Sequence, residues 1–290
     1  MTRSWNWARQ EIAALDPCTD APRLAQLSFE VRYGLPIFLH GLFSVAFVYN
    51  VGMPAMAHIL HRRGKGPILR DTRKRNFDSL LFFGTLYRHG WSQASQDIAG
   101  RLQAIHARFP IDNAMSLYTL ATLACLPERV STRFAPNGGL SERECEAQYR
   151  FWQRIGAWMG VKEIPDSRAA MLAWMRAFEE NEFAPSNACQ DITQALAEEW
   201  AEYWFPRPLQ ATGRGLFMAM VEPHIRQRLA LPEPTPWQEW LAHTAVRGFF
   251  AAKRLLPDPA ERSLCDAFAS AYAQPLDLNQ VGYDAALPKS

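Results

Sequence analysis

Residues 35–60, LPIFLHGLFSVAFVYNVGMPAMAHIL, are the most apolar stretch of the chain. They are long enough for a membrane span, and Arg62, Arg63 and Lys65 follow directly. Pro36, His40, Gly41, Asn50, Gly52 and Pro54 interrupt the run. Polar groups are costly in hydrocarbon, whereas a helix packed inside a protein can satisfy them locally. The stretch therefore reads as a buried core helix broken near Gly52–Pro54, with a span or membrane-dipping segment as the competing reading. The chain's ten Trp and 17 Phe call for a large core, a large apolar pocket, or both.

The remaining punctuation is helical. Residues 1–28 are predicted to hold a short amphipathic helix, about Trp5 to Leu15, and a polar connection through Pro22, packed as an arm on the domain. Arg75–Tyr118 reads as two helices joined by a turn at His89–Gly90. Asp112 or Asn113 starts the next helix, which is expected to end at Pro127. Ser141 and Glu144 form a capping box for a helix closing at Gly160. Ser167 precedes one over about Arg168–Asn181, and further patterns cover 188–204, 214–229 and 236–255. No series of short alternating strands occurs, so the class is all-α. At 290 residues the chain is expected to be a single domain over 1–290.

A net charge of +2 offers nucleic acid no general attraction. The basic run at 61–75 carries seven Arg or Lys against one Asp, but it has no interleaved aromatics and no phosphate-loop motif. It reads as a solvated connection or as an anion site beside an apolar pocket. Five scattered cysteines without a CxxC pair argue against a disulfide framework or zinc and favour a reducing compartment. With no apolar leader at the N-terminus, the expected location is cytoplasmic, with membrane association as an addition.

Few metal chemistries remain. None of the seven histidines has Glu three residues before it, which speaks against a di-iron carboxylate bundle, and neither HExxH nor GxSxG occurs. His58 and His61 share a helix face, either as half of a metal site or as the polar end of a core helix. Glu222, His224 and His243 read as structural. Ala99, Leu102, His106 and Phe109 recur at helical spacing, so His106 lies on an apolar face. It is there as a core histidine with one hydrogen-bond partner or as a metal or haem ligand. A haem needs one neutral imidazole, apolar walls and cations for its propionates, and this chain has all three residue types.

Several strings, taken in order, carry a resemblance. They are Arg75-Asn-Phe-Asp78-Ser79, Gly90, Ile105-His106, Phe109-Pro-Ile111-Asp-Asn113 and Ser116-Leu-Tyr118-Thr-Leu. Pro127-Glu-Arg129, Leu140-Ser-Glu142, Phe151-Trp-x-x-Ile155-Gly and Met159-Gly160 continue it, and upstream Pro54 and the basic run ending at Arg75 also fit. Over about residues 35–185 the chain resembles the MpaB family of oxygenases, which includes bacterial latex-clearing rubber oxygenases and fungal endoplasmic-reticulum-bound MpaB enzymes.

The resemblance implies a haem b in a globin-like helical core, with further helices at both ends and His106 as the proximal iron ligand. Arg75 matches an arginine near the haem. In rubber oxygenases a lysine and a threonine follow it, and the lysine can cap the iron on the distal side. Asp78 and Ser79 stand there in this chain, so a lysine-capped state is not expected. Ser79 is the candidate distal hydrogen-bond donor. The rubber enzymes' upstream glutamate has no assignable counterpart, and His58 lies in that region.

The expected function is haem-dependent oxidative cleavage, by O2, of a C=C bond in an apolar, isoprenoid-like substrate. Phe82, Phe83 and residues 38–56 are expected to line an apolar channel. The alternatives are a haem-binding protein without turnover and a cofactor-free helical lipid-binding or membrane-peripheral protein.

Overall fold

A computed structural model describes residues 4–268; residues 1–3 and 269–290 of the expected single domain lie outside it. The described residues contain helices and no strand, so the fold is all-α. In chain order the helices are α1 (Trp7–Ala14), α2 (Ala21–Gln26), α3 (Pro36–Val51), α4 (Pro54–His61), α5 (Pro67–Arg70), α6 (Thr72–His89), α7 (Gln93–His106) and α8 (Asn113–Phe134). They continue with α9 (Glu142–Trp158), α10 (Arg168–Glu182), α11 (Asn187–Trp204), α12 (Gln210–Met220), α13 (Pro223–Leu229), α14 (Pro236–Leu255) and α15 (Leu264–Phe268).

The apolar run at 35–60 is a core helix broken where the sequence places the break. Pro36 and Pro54 each begin a helix, where a missing N–H costs nothing. Almost every residue of α3 is buried, because α6, α8, α11 and α12 surround it. No single helix among the described residues is long and apolar enough to cross a membrane. Ala21–Arg32 and Pro36–Val51 reach that length only as a pair bent by 118°. Asn50 inside the run is satisfied locally: it donates to the Ala46 carbonyl at 2.8 Å and accepts from Thr119 Oγ1 at 2.6 Å.

Three boundaries differ from the sequence reading. First, α8 does not stop at Pro127 but runs on to Phe134. A proline in mid-helix leaves the carbonyl four residues back without its donor. Here the Gln148 side chain of α9 supplies one, reaching the Leu123 carbonyl at 3.4 Å. Second, the expected 214–229 helix is two, α12 and α13, parted at Val221–Glu222 because Pro223 forces its predecessor into an extended conformation. Arg226 and Arg133 donate to the Val221 carbonyl at 2.6 and 3.1 Å, replacing the lost helical bonds.

Third, the connection before residue 28 is not merely polar chain. α2 runs into a π-helical turn at Leu27–Arg32, every residue of which is buried. Gly34 closes it, since a Cβ there would lie 1.9 Å from the Glu30 carbonyl oxygen. At the other capped ends the reading and the structure agree. Asp112, Ser141 and Ser167 accept from backbone N–H groups as N-caps, and Gly90 leaves α6 at a φ of 56°. All five cysteines are free thiols, and only Cys18 is exposed.

The π turn is held by the C-terminal end of the described chain. Glu30, 1% exposed, accepts from Ser263 Oγ at 2.9 Å and from the Leu264 N–H at 2.7 Å. α15 then lies along α6, and Phe268 packs on Phe77 with ring centroids 5.2 Å apart.

Candidate active site

The α6–α7 hairpin brings Arg75, Ser79 and His106 to one end of the molecule. Arg75 and Ser79 are one helical turn apart, and the Arg75 guanidinium donates to Ser79 Oγ. The Ser79 hydroxyl donates in turn to the Arg75 carbonyl at 3.2 Å, so in this state its proton is committed to its own helix. Arg75 stacks over Phe47 of α3 at 5.2 Å and has no carboxylate within ion-pair distance among the described residues. Burial pushes its pKa down, opposed only by the Asp78 charge.

His106 is the last residue of α7 and half-buried, less enclosed than the spacing implied because the apolar face ends with the helix. Its ring makes no hydrogen bond to a described residue. Burial, and then the Arg75 charge, push its pKa below the usual imidazole value. The imidazole is thus neutral, with a lone pair free to ligate. Asp78 points elsewhere: it is buried and takes Lys74 at 2.8 Å, so it acts as a neutralised member of α6.

The expected apolar channel is filled. Phe83 stacks on Phe43 at 5.0 Å and meets Trp152 edge-on at 5.6 Å, and Phe82 is buried. Residues of the 38–56 segment line a void of only about 10 Å³. A cavity of about 1120 Å³ opens instead between α8, α10 and α13, lined by Arg129, Arg133, Arg176, Arg228, Glu179 and Glu222. Such walls suit a polar ligand and not a macrocycle. His224 stands at that cavity, 3.5 Å from Glu222.

His58 and His61 are both engaged, His58 with the Pro54 carbonyl at 2.6 Å and His61 with Asp191 at 2.9 Å. No group of three metal-ligating side chains occurs among the described residues.

Beneath Arg75 lies a polar network that the sequence reading missed. His40 of α3, fully buried, accepts from Trp204 Nε1 at 3.0 Å through its Nδ1. An indole N–H can only donate, so the neutral ring carries its proton on Nε2. That nitrogen is 3.0 Å from Glu199 of α11 and 2.7 Å from the Asn76 amide, next to Arg75 on α6. Arg73 closes the set on Glu199 at 3.1 Å. Burial raises the Glu199 carboxyl, but His40 and Arg73 outweigh it and hold the acid below its usual value. The signal was present, since His40 and Ser44 sit at i and i+4 within the apolar run and Asn76 bonds to Ser44.

Residues 38–255 match the sequence profile of the catalytic domain of the endoplasmic-reticulum-bound oxygenase mpaB/B' and rubber oxygenase family. The chain belongs to that family. A comparison with curated proteins finds no match. The mpaB/rubber oxygenase match extends beyond the 35–185 stretch of the quoted motifs and takes in α11 to α14, so the His40–Glu199 network lies wholly inside it. Membership makes this an oxygenase-type catalytic domain, an oxidoreductase class that implies O2 and a small-molecule substrate.

Proposed function

We propose that this chain is a haem b-dependent oxygenase that cleaves a C=C bond in an apolar, isoprenoid-like substrate. The observation that carries the haem is His106, a half-buried imidazole without a hydrogen-bond partner among the described residues, held neutral by burial and by Arg75. Of the three things a haem needs, the ligand and the cation are present, and the apolar walls, closed on one another at Phe43, Phe83 and Trp152, would have to part to admit the macrocycle. His106 would give the iron one neutral nitrogen, and Arg75, which has no carboxylate partner among the described residues, would pair with a propionate. Bound haem would supply activation of O2. The protein's own residues would do the rest. His106 would hold the iron, Arg75 would orient the group, and Phe47 under Arg75 would keep water from that side. Ser79 would turn its hydroxyl from the Arg75 carbonyl to donate to a bound molecule. The substrate class rests on the rubber oxygenase kinship.

An absorption spectrum of the purified full-length protein tests the ligand. A Soret band is expected, and His106→Ala is expected to abolish or strongly shift it while far-UV circular dichroism stays unchanged. A Soret band untouched by His106→Ala would sink the assignment. Turnover is read separately, as carbonyl products from a polyisoprenoid under O2.

A further inference from the structure

The large exposed apolar side chains gather along one helix. Trp237 is 52% exposed, Trp240 66%, Leu255 77% and Leu256 56%, and all lie on α14 or at its end. The others stand beside it. Leu209 precedes Ala211, whose carbonyl accepts from Gln238 of α14. Leu35 precedes Phe38, which packs on Phe249 at 4.7 Å. The Trp5 carbonyl accepts from the Asp258 N–H, just past the helix.

The helix has two unlike faces. Ala242, Phe249 and Phe250 turn inward, and its single acid, Glu239, is spent on Arg133 and Arg226. Trp237, Trp240, Thr244, Arg247, Gly248, Ala251 and Leu255 recur at helical spacing on the exposed face. That face carries no carboxylate, and Arg247 has no ion pair among the described residues.

We infer that this face of α14 docks on an anionic bilayer surface. Indole rings favour the headgroup region, and an exposed face with indoles, a cation and no acid is the composition of an interfacial helix. Arg247 decides against a second copy of the chain. It lies near the middle of the helix, so a twofold antiparallel pair would set it against its own counterpart, whereas lipid phosphate gives it a partner. This face is distinct from residues 35–60, whose competing reading is a membrane segment and which protein encloses. The inference does not depend on haem.

Cosedimentation of the full chain with vesicles tests it, using phosphatidylcholine alone or with about a third phosphatidylserine. Binding is expected to the mixed vesicles and to weaken with salt. Trp237→Ala/Trp240→Ala should reduce it on the order of a hundredfold, and Arg247→Gln about fivefold. All three side chains are exposed, so thermal unfolding should not move. Three outcomes would overturn the inference. These are no binding by the unaltered protein, equal binding by the tryptophan variant, or a concentration-dependent dimer that the tryptophan variant dissolves.

Discussion

Arg129→Met is expected to cost about 3–5 kcal/mol of stability at neutral pH, a large share of what a domain of this size has. Arg129 of α8 is 8% exposed and binds two carboxylates at once, donating twice to Glu179 of α10 and also to Glu222 in the α12–α13 turn. Glu179 is 2% exposed and accepts from Tyr118 Oη at 2.7 Å. Burial alone would raise its pKa, but His224 at 4.0 Å and hydrogen bonds from Arg129 and Tyr118 outweigh burial and keep it ionised.

Methionine fills the volume of the arginine stem yet leaves Glu179 as a buried carboxylate without a cation. The sign with pH follows. Without Arg129 the folded-state pKa of Glu179 rises above its unfolded value, so the variant's deficit is fullest at neutral pH and shrinks as pH falls toward 4.5. Arg129→Met/Glu179→Leu, which removes both charges, should recover much of the loss. Urea denaturation at two pH values checks all three statements. A single variant within about 1 kcal/mol of the parent would show that the ion cluster is not what joins α8, α10 and the α12–α13 turn.

This cluster also marks where reading from sequence stops. Helix starts were legible because their causes are local. Asp112, Ser141 and Ser167 cap the turns that follow them, and Pro36, Pro54 and Pro236 open helices at the one place a proline is harmless. Pro127 was misread for the opposite reason. Its orphaned carbonyl is satisfied by Gln148, a residue on another helix whose arrival nothing local announces. Arg129 finds Glu179 and Glu222 at separations of 50 and 93 residues, and His40 finds Glu199 and Trp204 across more than 150. Periodicity identifies the face such groups occupy and says nothing of the partner.

The candidate site divides along the same line. The α6–α7 hairpin and the place of His106 at its end could be read directly, as could the four-residue spacing of Arg75 and Ser79. The neutral state of His106 depends on its burial and then on Arg75 approaching from the neighbouring helix. The commitment of Asp78 to Lys74 depends on the acid being buried. The iron-ligand role of His106 is an expectation from resemblance, and the structure shows an imidazole without a hydrogen-bond partner among the described residues.

Glu30→Gln should stabilise the protein by on the order of 2–3 kcal/mol above pH 7 and change little below pH 4.5. Burial in the π turn pushes the Glu30 carboxyl up to about 7, against hydrogen bonds from Leu264 and Ser263, the neighbouring Gln26 side chain and the charge of Arg88. A carboxyl whose folded pKa is raised binds its proton more tightly in the native state than in the unfolded one. Stability therefore falls as pH climbs from about 4.5, the ordinary value, to about 7, and the lost part stays lost above that. Glutamine keeps an oxygen for the Ser263 hydroxyl and the Leu264 N–H but cannot ionise, so its unfolding free energy should lack this slope. The same bond pins the segment leading into α15, which lies along α6 below Arg75. In the parent, amide exchange at Leu264 should quicken between pH 5 and 8 beyond the rise intrinsic to exchange chemistry, and in Glu30→Gln it should not. Equal pH slopes in the two proteins would mean that Glu30 is ionised and solvated, and that the π turn is closed by other contacts.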